Sequence, residues 1–93
     1  MRAPETNRAI DHDPEQLALR VLVWTLVEPE RALRLLDVTG LTPHDLRARA
    51  SDPAVLSAAI AFLEAHEPDL IACADGLGVK PADIVSARGA LEA

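Results

Sequence analysis

The residues of this sequence that could do chemistry are few and lie far apart. Its three histidines, His12, His44 and His66, stand in different segments, and no cysteine or second histidine lies three or four residues from any of them. A metal site on one helix face needs ligands at that spacing. The single cysteine, Cys73, has small apolar neighbours and no adjacent cation, which is typical of a packed side chain. We therefore expect no metal site and no catalytic thiol.

Other patterns that would indicate an enzyme are absent from the sequence. The serines have no nucleophile-elbow context. Glu64 and Glu67 share one helix face, where exposed carboxylates are usually only solvated. Gly76-Leu77-Gly78 lacks the flanking strand and the Lys-Ser/Thr end of a phosphate loop. The sequence predicts no catalytic residue, no cofactor and no small-molecule ligand, and we expect a protein that is not an enzyme.

Part of the sequence resembles a bacterial helix-turn-helix motif. Ala74, Gly78, Val79 and Ile84 have the spacing of the small residue, the turn glycine and the two apolar residues of that motif, and Ala87 fits one further position. This spacing favours a DNA-binding function for the last two predicted helices.

The charge of residues 70–91 argues against that function. The helix after Pro81 offers only Lys80 and Arg88 as cations, beside Asp83. Recognition of DNA needs donors for phosphates and bases on that helix. A divergent helix-turn-helix DNA-binding protein is therefore kept as the alternative function, and nucleic acid is not the partner we expect.

Four arginines, Arg31, Arg34, Arg47 and Arg49, cluster in the second and third predicted helices. Arginine is favoured at interfaces and pairs bidentately with carboxylates, so the cluster predicts a protein-binding face. The alternative is that these arginines balance neighbouring carboxylates on a solvated surface. Such a face could meet the acidic half of a second copy head to tail, or a symmetric dimer could bury part of the first or fourth helix.

The apolar stretch Leu17–Val27 is predicted to form the central helix. Only two of its eleven residues are polar, so a helix there needs neighbours on most sides. A buried strand is the alternative, because the stretch is rich in β-branched residues. Asp13-Pro14 is typical of a helix N-terminus, and Pro29 leaves room for about four turns, which favours the helix.

Two expectations concern how the helices pack. Trp24 should be largely buried beside the fourth helix, as part of the core. Ala58, Ala59, Ala61 and Ala65 give the fourth helix small side chains, which allow another helix to approach closely.

Helix-breaking residues divide the chain into two similar halves, with acid–proline pairs repeated after 39 positions and a glycine–proline–aspartate spacing repeated after 38. The pairs are Asp13-Pro14 with Asp52-Pro53 and Glu28-Pro29 with Glu67-Pro68; the spacing is Gly40, Pro43 and Asp45 with Gly78, Pro81 and Asp83. The pattern predicts a compact all-α bundle of five or six short helices. Residues 13–50 and 52–90 would be related three-helix halves, unless the likeness is only shared capping residues. Residues 1–12 are expected to form a flexible N-terminal arm before a single domain, 13–93.

Composition suits a small globular protein of the cytoplasm. The 93 residues are 49% hydrophobic but only 2% aromatic, and the net charge is −6. The negative charge disfavours binding to phosphate backbones or anionic lipid. One cysteine cannot form an intrachain disulfide, and neither a secretory signal nor an apolar run of membrane-spanning length is present.

Short motifs along most of the chain carry a resemblance to one small bacterial family. The motifs are Glu28-Pro29-Glu30-Arg31, Thr39-Gly40-Leu41-Thr42-Pro43, Asp45-Leu46-Arg47, Asp52-Pro53, Phe62-Leu63 and Ala87-Arg88. They are similar to those of an all-helical, mainly alphaproteobacterial family catalogued as domain of unknown function 3572, over about residues 13–91. The resemblance implies the fold and brings no activity, cofactor or catalytic residue with it. Glu67-Pro68 departs from the usual proline-free turn of the family and leaves the start of the fifth helix open.

These features favour a small non-enzymatic protein-interaction or regulatory protein of the bacterial cytoplasm. We expect its partner to be another protein or a second copy of itself in a homodimer, with no membrane involved.

Overall fold

Prolines and capping residues set where the helices of this protein begin. The structure, a computed structural model, describes residues 13–93 and contains six helices there. The helices are α1 (Pro14–Val27), α2 (Pro29–Thr39), α3 (Pro43–Arg49), α4 (Pro53–Glu64), α5 (Glu67–Leu77) and α6 (Pro81–Glu92). The predicted all-α bundle of short helices is confirmed, and the strand alternative for the first stretch was wrong. The predicted arm of residues 1–12 lies outside the described residues.

Aspartate side chains cap the N-termini of α1 and α4. The Asp13 carboxylate accepts a hydrogen bond from the backbone N–H of Glu15 at 3.0 Å, and Asp52 accepts one from Ala54 at 2.9 Å. Each satisfies one of the backbone donors that the first turn of a helix leaves without a partner. Since both caps precede a proline, the chain can enter the helix only at that point.

Two glycines end α2 and α5 in the same way. Gly40 and Gly78 have φ angles of 76° and 73°, the left-handed conformation that side chains with a Cβ rarely adopt. The Gly40 N–H donates to the carbonyl of Leu36 at 2.8 Å, and the Val79 N–H donates to that of Ala74 at 2.9 Å. These bonds satisfy carbonyls at each helix end and turn the chain towards the next helix.

The core lies where α1, α4 and α6 pack against one another. Leu17 and Val21 of α1, Leu56 and Ile60 of α4, and Ile84 of α6 are almost completely buried. Helices α2 and α5 flank this three-helix contact. The central place predicted for α1 is thus shared with α4 and α6.

One side of α1 faces solvent, so this helix does not have neighbours all round. Val23 and Val27 are 60% and 73% exposed. Thr25 is fully buried instead, and its hydroxyl donates to the carbonyl of Val21 at 2.8 Å. A threonine can therefore occupy the core side because its one polar group is satisfied within its own helix.

Trp24 is partly buried, packs against the core and contacts α2 and α5. The Arg31 guanidinium lies over the indole ring, 3.6 Å from its centroid. Gly76 of α5 lies beside the indole nitrogen, where a Cβ would come within 3.0 Å of it. A cation–π contact and a close backbone approach therefore help to hold the ring.

The two halves differ in how their second and third helices are capped, since Thr42 caps α3 with its hydroxyl whereas Lys80 makes no side-chain capping bond at α6. Glu28 caps α2, with its carboxylate accepting from the N–H of Arg31 at 2.7 Å. The corresponding helix α5 begins at Glu67 itself, one residue before Pro68, and its N-cap His66 makes no side-chain capping bond. Common ancestry of the halves stays a prediction.

Two helical glycines should respond oppositely to alanine. A Cβ on Gly76 would lie 3.0 Å from Nε1 of Trp24, whereas a Cβ on Gly89 would meet nothing within 4 Å. Gly89→Ala should raise the free energy of unfolding by about 0.5–1 kcal/mol, because alanine loses less backbone entropy in a helix. Gly76→Ala should raise the free energy of unfolding by less than Gly89→Ala does, or should lower it, because the added Cβ forces the indole to shift. Urea unfolding measures both, and equal gains would contradict the packing of Trp24.

Trp24→Ala should destabilise the fold by about 2–3 kcal/mol, below the range of about 3–5 kcal/mol for a fully buried tryptophan, because part of the ring is already in water. Val23→Ala on the exposed side of α1 is the matched control and should change stability by about 0.5 kcal/mol or less. Thermal and urea unfolding would measure both variants. If Trp24→Ala and Val23→Ala changed the stability equally, Trp24 would not support the core.

Candidate partner-binding surface on helix α4

The described residues offer little reactive chemistry. In residues 13–93, no group of three or more His, Cys, Asp and Glu side chains is placed to hold a metal ion. Burial raises the pKa of the Cys73 thiol to about 11, against weaker opposing effects of Arg31 and Arg20, so the thiol stays protonated at neutral pH. None of the helices there combines the length and apolar character needed to cross a membrane.

The outer face of α4 consists of alanines. Ala54, Ala58, Ala61 and Ala65 follow one another at intervals of four, three and four residues, which places them on one side of the helix. All four are exposed or partly exposed, whereas Ala59 points into the core and is buried. We call the four exposed residues the alanine ridge. Because alanine side chains are short, this face of α4 projects less far than the side chains of the helices on either side of it.

A first groove, the α2 groove, runs along one side of the alanine ridge. It has a volume of about 560 Å³ and lies between α2 and the C-terminal half of α4. Val38, which is 70% exposed, and Phe62 form its apolar walls, and Ala58, Ala61 and Ala65 belong to it as well. Because α2 packs less extensively on α4 than α1 and α6 do, the space between them stays open.

A second groove, the α6 groove, lies on the other side of the ridge. It has a volume of about 530 Å³ and is formed by the N-terminal half of α4 and the end of α6, where Leu91 and Glu92 lie. Ala58 and Ala61 line both grooves. The two grooves therefore form one continuous surface that crosses α4 obliquely.

Three polar side chains stand at the α2 end of this surface. Arg34 Nη2 donates to Asp69 Oδ2 at 3.0 Å, and His66 Nε2 lies 3.9 Å from the same oxygen. The carboxylate of Asp69 is mostly covered, at 20% exposure, while the side chains of Arg34 and His66 are 55% and 59% exposed. Asp69 stands three residues after His66, a spacing that joins them on one helix face. This end of the surface therefore presents mainly N–H donors to solvent.

An ionic cluster lies where α6 meets α4, and Glu92 is its member that lines the α6 groove. Arg88 donates to Glu64, with Nη2 to Oε1 at 3.0 Å and a second bond from Nε, and Arg88 Nη1 donates to Glu92 Oε1 at 3.0 Å. Glu92 also accepts a hydrogen bond from the hydroxyl of Ser57. The cluster joins the end of α6 to α4. It raises the pKa of Arg88, chiefly through the bonds to Glu64 and Glu92, so the guanidinium keeps its charge.

Another apolar depression, of about 430 Å³, surrounds Trp24 on α1. Val23 and Val27 border it, and Arg20 Nη2 donates to the carbonyl of Leu77 across its edge at 2.9 Å. This depression is smaller than either groove on α4. Of the residues that line it, only Arg20 is charged.

Comparison with protein families decides where the chain belongs. The family described as "Protein of unknown function (DUF3572)" matches residues 11–93. The chain is a member of this family. The resemblance carried by its motifs is thereby confirmed. Searches of curated proteins and of solved structures find no match.

The four arginines predicted as a partner-binding cluster have different surroundings in this DUF3572 protein. Arg31 stacks on Trp24 and donates to its carbonyl at 2.7 Å, which leaves Nε buried without a hydrogen bond in the described part of the chain. Arg49 pairs with Asp52 at 3.1 Å. Arg47 is exposed on α3. Arg34 lies in the α2 groove, so it is the member of the predicted set that borders an apolar surface.

The helix–turn–helix arrangement of α5 and α6 is present, with Gly78 in the turn. The exposed residues of α6 within residues 81–92 are uncharged apart from Glu92: Pro81, Ala82, Val85, Ser86, Gly89 and Ala90. Arg88, one of the two cations predicted to serve DNA, is held by Glu64 and Glu92. The other, Lys80, is exposed at the N-cap of α6, so one cation beside this helix is left to meet phosphate.

Sequence analysis named three residues of the ridge, Ala58, Ala61 and Ala65, but it missed Ala54 and included Ala59, which is buried. The alternation of four- and three-residue steps from Ala54 to Ala65 signals a helix face of small residues. Val38 could not be assigned to that face, because the approach of α2 to α4 depends on contacts between residues far apart in sequence.

Acid should weaken the link between α4 and α6. The hydroxyl of Ser57 and the guanidinium of Arg88 hold the pKa of Glu92 below its ordinary value of 4.5. A depressed folded-state pKa stabilises the fold above the ordinary value, and this stabilisation is lost as the pH falls through the lowered one. Glu92→Gln should therefore be less stable than wild type at neutral pH, with the difference disappearing in acid.

Urea unfolding at a series of pH values from about 7 to about 2 would measure this. Glu67→Gln is the control, since the exposed Glu67 makes no side-chain ion pair within residues 13–93. A constant difference between Glu92→Gln and wild type at all pH values would contradict the proposed role of the ionised carboxylate.

Proposed function

We propose that this DUF3572 protein is a non-enzymatic protein-interaction protein of the bacterial cytoplasm and that it binds its protein partner on the outer face of α4. The observation that carries the proposal is the alanine ridge between two apolar grooves, which together form one continuous open surface. An exposed apolar surface bordered by polar residues can serve as an interaction site.

The shape of the surface suits a helix as the bound element. The distance between packed helices depends on the size of the side chains at the contact, and alanine permits the closest approach after glycine. A helix laid on Ala58 and Ala61 would reach the apolar walls at Val38 and Leu91 with its own side chains. This is the helix-in-groove mode of recognition.

The helix-turn-helix alternative receives less support from the side chains. A DNA-binding role would need Arg88 to leave both carboxylates that it contacts, at 3.0 Å to Glu64 and 3.0 Å to Glu92. Besides Arg88, the exposed side chains that could donate to phosphate are Ser86 on α6 and Lys80 just before it, so the helix offers no second arginine within residues 81–92.

Filling the surface should abolish partner binding. Ala61→Trp places an indole on the alanine ridge, whereas Ala82→Trp places the same side chain on the exposed face of α6. Because both alanines are exposed, both variants should fold, as circular dichroism and thermal unfolding would verify. Tagged wild type and both variants would be recovered from the native cell with and without nuclease, and bound proteins quantified by mass spectrometry.

The proposal expects proteins that remain with wild type and Ala82→Trp after nuclease treatment but fall at least tenfold with Ala61→Trp. Loss of the whole bound set on nuclease treatment would favour the DNA-binding alternative. Equal recovery with both variants would show that the α4 face is not the binding site.

A further inference from the structure

We infer that residues 42–51, which contain α3, form a strap that opens as a unit while the other five helices of residues 13–93 stay folded. Opening brings Leu46, and the core position that it fills, into contact with solvent. The reasons are the small buried contact of α3, hydrogen bonds that stay within its own segment, and neighbouring helices whose ends are complete without it.

The strap is held to the core by one buried side chain. Leu46 is 8% exposed and is the buried member of residues 42–51, and Ala50 is partly buried against the same core. Within residues 13–93, no other helix runs close to the backbone of α3 over more than a short stretch. Segments with few buried apolar contacts open at a lower free energy than the core of the same protein.

Helix α6, which has the corresponding place in the second half of the chain, packs quite differently. Both helices follow a left-handed glycine and begin at a proline, but α3 has seven residues and α6 has twelve. Ile84, which matches Leu46 in the 38-residue spacing, is fully buried, and Ala87 is buried one turn later. Helix α6 also packs extensively on α1 and α4. The same spacing therefore produces a central helix in one half and a peripheral one in the other.

The hydrogen bonds at the two ends of α3 stay close to it in sequence. The Thr42 hydroxyl accepts from the N–H of Asp45 at 3.0 Å, and the Asp45 carboxylate accepts from the N–H of Thr42 at 3.0 Å. At the other end, the Asp52 N–H donates to the carbonyl of Arg49 at 2.9 Å, and Arg49 Nη2 donates to Asp52 Oδ2 at 3.1 Å. This ion pair is 49% and 36% exposed and adds little stability. The main cost of opening is therefore the exposure of Leu46.

The helices on each side of the strap complete their own ends. Helix α2 ends where the Gly40 N–H donates to the carbonyl of Leu36 at 2.8 Å, and α4 begins where the Asp52 carboxylate accepts from the N–H of Ala54 at 2.9 Å. Neither bond involves residues 42–51, so both helices keep these ends when the strap opens. A helix of seven residues is marginal by itself in water. Helix α3 therefore unfolds when it leaves the core, and its amide hydrogens exchange with solvent.

Hydrogen exchange of the whole chain, followed at single amides by NMR at low urea concentrations, tests the strap. The amides of residues 46–49, corrected for their intrinsic rates, should exchange at least tenfold faster than those of the buried residues Val21, Ile60 and Ala87. Because strap opening exposes little surface, the rates of residues 46–49 should change little with urea, whereas the rates of the core amides should rise.

Two variants separate the strap from the core. Ile84→Val removes one carbon atom from the core and should speed exchange of the core amides by about two- to tenfold. It should leave residues 46–49 at their wild-type rates, because α6 stays packed when the strap opens. Leu46→Ala should speed exchange of residues 46–49 at least tenfold, and its circular dichroism should keep most of the wild-type helical signal.

Exchange of residues 46–49 at the same rates as the core amides, with the same dependence on urea, would overturn the inference, because the bundle would then open only as a whole. An Ile84→Val variant that speeds residues 46–49 as much as the core would overturn it too. So would a Leu46→Ala chain that loses its helical signal altogether, since a strap that opens alone leaves the other helices folded.

Discussion

The close contact of α1, α4 and α6 is the constraint on which the rest of the structure depends. A chain of this length can bury only a small core, and most of the fully buried aliphatic side chains belong to these three helices. Leu56, Ile60 and Leu63 turn one side of α4 towards that core. The opposite side is thereby directed to solvent, and its alanines become available as a surface. The position of the candidate site is thus a consequence of how the core is packed.

Polar contacts determine how the neighbouring helices border that surface. The pairing of Arg34 with Asp69 joins α2 to α5 above the C-terminal end of α4, and the bonds of Arg88 to Glu64 join α6 to α4 on the other side. Exposed ion pairs contribute little to stability. They join α2 to α5 and α6 to α4, and they leave Arg34 beside the α2 groove and Glu92 beside the α6 groove. The same pairing leaves α6 poorly suited to bind DNA.

Local patterns predicted the helices well. The acid–proline pairs and the two turn glycines act through the backbone of their own segment, so their outcome at Asp13, Asp52, Gly40 and Gly78 is independent of distant residues. The contacts of Trp24 with α2 and α5 were not predicted, because helical periodicity assigns a face but not the helix that will cover it. The indole is held between Arg31 and Gly76, which lie far apart in the chain. The arginine cluster illustrates the same limit, since four arginines in adjacent helices have four different surroundings.

The sequence by itself determined the fold class, most of the helix starts and the inward residues of α4. These follow from local propensity, capping and period, which need only neighbouring residues. Tertiary structure alone decided that Val38 stands beside the alanine ridge and that Arg88 is held by Glu64 and Glu92. It also decided that Arg34 lies at one end of the surface and Glu92 at the other. Such arrangements depend on the angles and distances between packed helices, which are set jointly by side chains from the whole chain.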